Sequence, residues 1–397
     1  MLPSICIGSA THRELSELLR SKHVLTVSGL SNETAKAMIV SHILTLQPGS
    51  AVLVTENDER VEGLIHWLSF FGSKPFRVTF GEEPTADDAS SVVRMMNGDG
   101  IAVMDRATWD MELPSFQELR DHEITLTVGE AVDFTVFFSQ LIDIGYEHAD
   151  DTHLQPGEYR RVGDTLDIFP VGTDKQFKIS FAFEKVEDIH SIGEEKQKHK
   201  FLKIQPLAWG ETMLLSKQFP KQSLLVTDEQ EDLVVESKCD QLRLTSFPED
   251  EAQHVHLRYL SVLKFYTLPD FVNDIRDKLQ QDWTIVIVSK RADELKGVLK
   301  EESLPYLDAP DRKTGVITVV PADEDELLPH SLQNPDLKCA LITDREIFSL
   351  RKEAKQRSVQ RLALDFITSL QVGDFVVHME HGIGRFEGMT SKVVDEV

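Results

Sequence analysis

Cysteine is scarce in this chain, which has three among 397 residues: Cys6, Cys239 and Cys339. They lie far apart and form no C-x-x-C pair, so the sequence indicates neither a zinc site nor a disulfide framework. We therefore expect a reducing, cytoplasmic environment. Apolar runs long enough to span a membrane are also missing, as are the basic and apolar segments of a secretion signal, so we expect no membrane partner.

Basic residues are in short supply as well. The chain has 42 Lys and Arg against 67 Asp and Glu, a formal net charge of −25. Phosphate neutralisation needs clustered Lys and Arg, so a large nucleic-acid-binding face is disfavoured, although a local basic patch remains open. The content of 41% hydrophobic and 27% charged residues is that of a soluble globular protein, and the length suits two to four domains.

Short apolar runs alternate with amphipathic segments over residues 23 to 124, among them strands at 51–54 and 101–104 and a helix from Glu33 to Leu46. This alternation predicts an α/β fold with a parallel sheet. From Ile124 the pattern changes to one helix, Asp133 to Ile144, followed by three strand-like runs with turn signals between them. This change predicts an inserted antiparallel α+β module. The expected domains are a discontinuous α/β domain, the inserted module, a second small α/β domain, a linker helix and the start of a small β-barrel: residues 1–124 with 211–258, 125–210, 259–350, 351–371 and 372–397.

The first strand leads into Gly29-Leu-Ser-Asn-Glu-Thr-Ala-Lys36, which stands where a phosphate-binding loop would stand between strand and helix. Against G-x-x-x-x-G-K-[ST], Gly29 matches, but Thr34, Ala35 and Lys36 replace the second glycine, the lysine and the hydroxyl. Lys36 comes one place late, which on a helix turns it by about 100°. The pattern predicts a degenerate loop that binds no phosphate, and a plain strand-to-helix turn explains it equally well.

No catalytic residue is predicted, because an intact phosphate loop, an acidic Mg²⁺ box and an arginine finger are not found. We also expect no metal. His378 and His381 differ by an odd number of residues, so on a strand they point to opposite faces. His254 and His256 share a face but lack two further ligands nearby. Asp164 and Asp167 likewise point to opposite faces of a strand, and Asp164 is better explained as a turn residue.

The last segment, Val372 to Gly388, is a strand and glycine-turn signature. Apolar residues recur with a period of two, and Gly382, Gly384 and Gly388 are placed where tight bends need positive φ. Because a small antiparallel barrel needs several strands and this segment supplies two at most, we expect a barrel that the chain begins without completing. The chain is accordingly expected to be the front part of a longer protein.

The strands and turn of Gly157-Glu-Tyr-Arg-Arg-Val-Gly-Asp-Thr-Leu-Asp-Ile-Phe-Pro170 are more specific. Together with the degenerate loop and the terminal signature, in this order, they resemble the bacterial transcription-repair coupling factor family (the Mfd family). The resemblance implies a UvrB-like front region whose inserted module binds UvrA, and the start of a CarD-like domain that binds the RNA polymerase β subunit. It further implies a non-catalytic adaptor for transcription-coupled nucleotide excision repair. ATP, Mg²⁺ and DNA would be bound by motor domains of the full-length parent, with no cofactor in this chain.

The resemblance also implies site residues. Two basic positions and one aromatic position of the family's UvrA-binding surface fall on Val162, Lys178 and Ala182. Nearby side chains of the expected kinds complete the predicted UvrA-binding set, which comprises Arg160, Arg161, Lys178, Phe181 and Phe183. The polymerase-binding signature comprises His378, His381, Gly382, Gly384 and Arg385.

Three alternatives stay open at this stage. The first is a UvrB-type nucleotide-dependent DNA-repair ATPase that uses Lys36. The second is a stand-alone transcription regulator of the CarD type. The third concerns the predicted UvrA-binding residues: Phe181 would be packed in a core and the arginines would only be solvated, because strand aromatics most often serve packing.

Overall fold

The computed structural model describes most of the chain, in two units that are treated separately, Met1–Ile347 and Phe348–Val397. The described residues are 6–21, 23–47, 49–81, 85–193, 197–220, 222–230, 232–233, 235, 238–247, 254–308, 316–348, 375–378 and 382–385. The predicted linker helix, residues 351–371, lies outside them.

The first unit opens with alternating helices and strands. They are α1 (Ser9–Ser21), β1 (Val24–Leu30), α2 (Glu33–Leu46), β2 (Ala51–Thr55), α3 (Asp58–Phe70), β3 (Pro75–Arg77), α4 (Ala86–Asn97), β4 (Ile101–Asp105), α5 (Arg106–Trp109), β5 (Glu112–Pro114) and α6 (Phe116–Asp121). Side-chain caps fix several helix starts: Asn32 accepts a hydrogen bond from the Ala35 N–H, and Asn57 accepts one from the Arg60 N–H.

A module of short strands and one helix follows. It contains β6 (Ile124–Thr127), α7 (Phe134–Asp143), β7 (Glu147–His148), β8 (Glu158–Val162), β9 (Thr165–Ile168), β10 (Gln176–Ala182), β11 (Lys185–Ile192) and β12 (Phe201–Ile204).

The chain then returns to α/β structure. The elements are β13 (Thr212–Leu214), β14 (Leu224–Asp228), β15 (Gln241–Leu244), β16 (His254–Ser261), α8 (Leu268–Gln280), β17 (Thr284–Ser289), α9 (Ala292–Glu301), β18 (Tyr306–Leu307), β19 (Ile317–Pro321), β20 (Leu332–Asn334), β21 (Cys339–Thr343) and α10 (Asp344–Ile347).

One twelve-stranded sheet organises the first unit, in the order β18-β19-β17-β21-β20-β16-β1-β15-β14-β2-β4-β3. Its pairs are parallel except where β20 meets β16 and β21. Central strands such as β2 and β14 are buried along their whole length, as expected for a sheet covered on both faces. The predicted α/β class is confirmed.

The sheet runs continuously from the first α/β elements into those after residue 261. Leu260 and Ser261 of β16 pair with β20, and the core below β1 includes Val286 and Leu341 from the later strands. The expected boundary at residue 258 falls inside β16. The division into domains stays a prediction.

The module has its own five-stranded sheet, ordered β11-β10-β9-β8-β7 and antiparallel except for the parallel β7–β8 pair. Helix α7 packs on one face through Phe137 and Leu141. Buried Tyr146 joins the module to the main core: its hydroxyl donates to the Gln205 carbonyl (3.0 Å) and accepts from the N–H of Val171 (3.1 Å). Burial raises the pKa of Tyr146 far above its ordinary value, so the hydroxyl remains a donor.

The second unit is described as one antiparallel hairpin of β22 (Phe375–His378) and β23 (Gly382–Arg385). Gly382 and Gly384 lie inside β23, opposite His378 and Val376, so the expectation that these two glycines form bends is wrong. Gly388 and His381 lie outside the described residues. The strand pairing agrees with the period of two, and the barrel itself stays an expectation.

Across the residues that the structure describes, every helix is too short or too polar to span a membrane.

Candidate functional site

The two faces of the module sheet carry different side chains, because successive strand residues point to opposite sides. The inner face, under α7, is apolar and includes Tyr159, Leu166, Ile179 and Phe181. The outer face is polar and only partly buried along β10, where Gln176, Lys178, Ser180 and Ala182 alternate with the core residues.

Three charged side chains form a row across the outer face. Arg160 on β8 stands opposite Asp167 on β9, which stands opposite Lys178 on β10. Nη2 of Arg160 lies 2.9 Å from Oδ2 of Asp167, and Nζ of Lys178 lies 3.3 Å from Oδ1 of the same carboxylate. Asp167 is 6% exposed. The structure therefore brings together two of the predicted site cations around an acid that the prediction did not include.

The row continues to β11, where His190 is the register partner of Lys178. Nδ1 of His190 lies 3.3 Å from Asp188, whose other oxygen lies 3.3 Å from Nζ of Lys198. Desolvation works to raise the pKa of Asp188, but the hydrogen bonds from Lys198 and His190 prevail and lower it. Along this row the cations Arg160, Lys178 and Lys198 thus outnumber the acids Asp167 and Asp188.

Two other predicted residues belong to the opposite side of the sheet. The Arg161 guanidinium lies over the rings of Phe134 and Phe138, 4.7 and 5.2 Å from their centroids. Phe181 is 7% exposed and meets Phe134 edge-on, with 5.0 Å between ring centroids. Both side chains therefore fasten α7 to the sheet, as the packing alternative expects for Phe181.

Phe183 occupies the first position of the two-residue turn between β10 and β11 and is 101% exposed. Its φ is +51° and that of Glu184 is +61°, a combination that hairpins of this type usually reserve for Asn-Gly. A bulky aromatic with positive φ is unusual, and outliers of this kind cluster at functional sites. Exposed Val162 lies before the adjacent β8–β9 turn, at the same end of the sheet.

The alternation of side chains along β8 places Arg160 and Arg161 on opposite faces of the sheet. Arg160 and Val162 are two residues apart on β8 and therefore share the outer face with Lys178, Ser180 and Ala182. The positions implied by the resemblance thus lie on one face, and Arg160 supplies there the positive charge that Val162 lacks.

The strand-to-helix connection after β1 is not an extended loop. Strand β1 continues to Leu30, and only Ser31 and Asn32 precede α2. Gly29 lies inside the strand at a register shift against β16, with φ +76°, and a Cβ there would stand 2.3 Å from the carbonyl oxygen of Leu257. Close packing of β1 against β16 therefore explains why position 29 is a glycine, and approach to a phosphate is not needed to explain it.

Lys36 is 3% exposed and is held by two acids at the carboxyl end of the sheet. Its Nζ lies 2.5 Å from Oδ1 of Asp228 and 2.7 Å from Oε1 of Glu229. Asp228 also accepts hydrogen bonds from Thr55 and Arg60 at 2.9 and 3.2 Å. Burial raises the pKa of Glu229, but hydrogen bonds from Lys36 and Ser246 outweigh it and lower the pKa. Thr34 and Ala35, the other positions of the predicted loop, are buried in α2.

The acidic pair Asp228-Glu229 was missed by the sequence reasoning, which found no acidic Mg²⁺ box. It follows the buried run Leu224–Thr227, and an apolar strand that ends in Asp-Glu was the signal that could have revealed it. Strand β14 lies one strand away from β1, so the pair stands beside α2 at the edge where ligands bind in open α/β sheets. In this chain Lys36 occupies that edge.

No group of three or more His, Cys, Asp or Glu within the described part of the chain is arranged to hold a metal ion. Of the predicted polymerase-binding residues, His378, Gly382, Gly384 and Arg385 lie on the β22–β23 hairpin, with Arg385 exposed.

Comparison with known proteins identifies two domains. Residues 124–205 match the family model of the UvrB interaction domain, which covers the module sheet and α7. Residues 370–397 match the model of the CarD-like/TRCF RID domain, which includes the hairpin. The chain therefore contains segments similar to both of these domains, in this order.

Curated relatives make the resemblance more particular. The transcription-repair-coupling factor of Staphylococcus haemolyticus is 18% identical over 97% of this chain and 44% of its own length. That of Bacillus subtilis is 22% identical over 96% of this chain and 42% of its own length. The chain thus spans less than half of these relatives. The matches confirm the predicted resemblance to the N-terminal region of the transcription-repair coupling factors.

Proposed function

We propose that this chain acts as the adaptor region of a transcription-repair coupling factor. Its module would bind UvrA, and the domain that begins near residue 370 would bind RNA polymerase, through its β subunit. One polypeptide that holds both partners raises the effective concentration of repair proteins at a stalled polymerase without any chemistry of its own.

The observation that carries this proposal is the outer face of the module sheet. Arg160 on β8 and Lys178 on β10 lie on one face, on either side of Asp167 on β9, in a chain whose net charge is −25. The three side chains together carry one net positive charge, which contrasts with this acidic background. Complementary charge of this kind speeds association and selects the partner. We assign the cationic contacts to Arg160 and Lys178, with Arg161 and Phe181 supporting the sheet from the other side.

Phe183 is the apolar anchor of the proposed interface. A fully exposed aromatic contributes no core packing, yet it is held in an unfavourable backbone conformation beside exposed Val162. Aromatic residues are enriched among the side chains that dominate binding energy. The aromatic position of the family, which falls on Ala182, would be served here by the next residue.

The Asp228-Glu229 pair favours one alternative, a UvrB-type ATPase, because acids at this edge of the sheet could hold Mg²⁺. The geometry of Lys36 argues against it, since Nζ is already bonded to both acids that would have to hold Mg²⁺. The Asn32 side chain likewise caps the N–H of Ala35 at the start of α2, where a phosphate would bind.

The experiment combines two measurements on the 397-residue chain. UvrA is passed over immobilised chain to obtain a dissociation constant, and ATP turnover is measured for the chain alone. We expect micromolar or tighter UvrA binding and no turnover. The paired change Arg160→Ala with Lys178→Ala should weaken binding about tenfold or more. Lys203→Ala is the matched control, because Lys203 is an exposed lysine on β12, outside the five-stranded sheet.

Two results would contradict the proposal. Robust ATP hydrolysis by the chain would favour the enzyme, and its loss in Lys36→Ala would locate the site. Absence of UvrA binding at micromolar concentrations would remove the adaptor role.

A further inference from the structure

We propose that Asp167 is a positioning residue for partner binding: it holds Arg160 and Lys178 as a preformed pair of cations for a carboxylate on the surface of the protein partner. The inference rests on the proposed function and adds to it an acidic residue inside a site that recognises an acid. Asp167 does not touch the partner in this scheme. It acts through the two cations on either side of it.

The position of Asp167 on the middle strand explains the arrangement. Strands β8 and β10 both pair with β9, so Arg160 and Lys178 start about 10 Å apart, which is two strand spacings. Both side chains nevertheless converge on one carboxylate: Arg160 donates a hydrogen bond to Oδ2, and Lys178 lies in ionic contact with Oδ1 without forming a hydrogen bond to it. Without that carboxylate the two like charges would repel, and two long side chains would regain their rotamer freedom.

Burial makes this carboxylate different from an ordinary surface partner. Only 8% of the Asp167 side chain is exposed, against 22% for Arg160 and 37% for Lys178. Asp167 therefore lies beneath the two cations, and the more exposed members of this trio are positive. The trio carries one net positive charge, so an incoming carboxylate still meets an attractive surface.

Arg160 also retains donors for a partner. Asp167 takes up Nη2, whereas Nε of Arg160 is buried and has no hydrogen-bond partner among the described residues. A buried donor without a partner is unusual, and a water molecule or a carboxylate that reaches the guanidinium would satisfy it. A guanidinium presents its donors in a rigid fork that fits a carboxylate.

For Asp167→Asn, positioning and net charge predict opposite changes in affinity for the partner. Asp167→Asn removes a negative charge, so charge counting predicts tighter binding of an acidic partner. Loss of positioning predicts weaker binding, because the partner must then order two mobile side chains. We expect Asp167→Asn to raise the dissociation constant for UvrA about five- to tenfold.

Kinetics separates positioning from a merely structural role. Net charge governs the association rate, whereas the geometry of close contacts governs the dissociation rate. Asp167→Asn should therefore leave the association rate unchanged or slightly higher and raise the dissociation rate about tenfold. Partial unfolding would instead lower the amount of active protein without changing the dissociation rate of the molecules that remain folded.

Asp188→Asn is the matched control. Asp188 lies on the outer face two residues along β11 from His190, and it pairs with His190 and Lys198 rather than with Arg160 or Lys178. Its removal should leave the dissociation rate unchanged. If Asp167→Asn melts below the assay temperature, Asp167→Glu replaces it, since that variant keeps the charge and shifts the carboxylate by one methylene. Faster dissociation at an unchanged association rate is again expected.

The outcomes distinguish this inference from the proposed function. If Arg160→Ala with Lys178→Ala weakens binding while Asp167→Asn binds equally or more tightly, positioning by Asp167 is overturned and the adaptor interface stands. An Asp167→Glu variant that dissociates at the rate of the unaltered chain overturns positioning in the same way. If the double variant binds like the unaltered chain, the interface itself is misplaced and the inference falls with it.

Discussion

Nζ of Lys36 lies 2.5 Å from Oδ1 of Asp228, and both side chains are buried in the carboxyl edge of the parallel sheet. Enzymes of the phosphate-loop type place a lysine, a phosphate and Mg²⁺ between the equivalent strand ends. In this chain the lysine comes one residue later, and its ammonium group contacts the acids directly. The network thereby joins α2 to β14 through side-chain contacts of the chain itself.

Lys36→Met should destabilise the chain strongly. The methionine fills a similar volume but leaves Asp228 and Glu229 without their main cation. Breaking a buried pair by removal of one partner costs about 3–5 kcal/mol. Urea unfolding followed by fluorescence or circular dichroism measures the loss. Added nucleotide should leave the unfolding free energy unchanged for both the unaltered chain and Lys36→Met.

Lys203→Met is the control for that experiment. Lys203 pairs with Glu123 at 2.8 Å, but its side chain is 56% exposed. Exposed pairs contribute about 0–1 kcal/mol, so this variant should unfold close to the unaltered chain. Equal losses of unfolding free energy in the two lysine variants would show that the buried network stabilises the chain no more than an exposed ion pair does.

The stability difference between the unaltered chain and Lys36→Met should depend on pH. The folded pKa of Glu229 lies below its ordinary value of 4.5, so its contribution is present above that value and is lost as pH falls through the folded pKa. Without Lys36 the desolvation of Glu229 is less well offset, so its pKa is higher in the variant, and the variant recovers stability as pH falls through that higher pKa. We therefore expect the difference to be largest near about pH 7, to shrink on acidification and to level off below the folded pKa of Glu229 in the unaltered chain. Unfolding curves at half-unit steps test this, and a difference that stays constant through acidification would contradict it.

Gly29→Ala and Gly163→Ala form a matched pair. Both glycines have positive φ, +76° and +60°, so both substitutions incur the left-handed penalty of about 1–2 kcal/mol. Only at Gly29 does the new Cβ meet a backbone oxygen, whereas nothing lies within 4 Å at Gly163. Gly29→Ala should therefore cost clearly more in free energy of unfolding. Equal costs would mean that β16 moves away freely.

Much of the fold could be predicted from local patterns. Helix α2 begins and ends at the predicted Glu33 and Leu46, because an N-cap asparagine and a long apolar segment define it. The buried strands β2 and β4 were likewise predicted within one residue, as expected for apolar runs of this length. The partners of β16 could not be predicted, since pairing between distant segments is not encoded in a local period.

The candidate site was predictable in part. The turn at Gly163-Asp164 placed Arg160 and Arg161 on one strand, but only register decides which of them shares a face with Lys178. Asp167 was set aside because it shares no strand face with Asp164. Its role depends on neighbours from two other strands. Lys36 was read against a phosphate-loop pattern, and the acids that hold it come nearly two hundred residues later.

Phe183→Asn should separate stability from binding at the tip of the β10–β11 hairpin. Asparagine is favoured with positive φ in a two-residue turn, and Phe183 buries no surface that the substitution would lose. We expect the free energy of unfolding to rise by about 0.5–1 kcal/mol. UvrA binding should weaken about tenfold, because an exposed aromatic anchor is removed.

Phe201→Asn is the control for Phe183. Phe201 is also exposed, at 56%, but it lies in β12, where an extended backbone disfavours asparagine. Its substitution should lower stability slightly and leave UvrA binding unchanged, the reverse of the pattern at Phe183. If Phe183→Asn gains stability and still binds UvrA like the unaltered chain, the aromatic anchor is excluded. The strain at the turn would then require an explanation other than this interface, because a bulky residue with positive φ lowers stability unless something compensates.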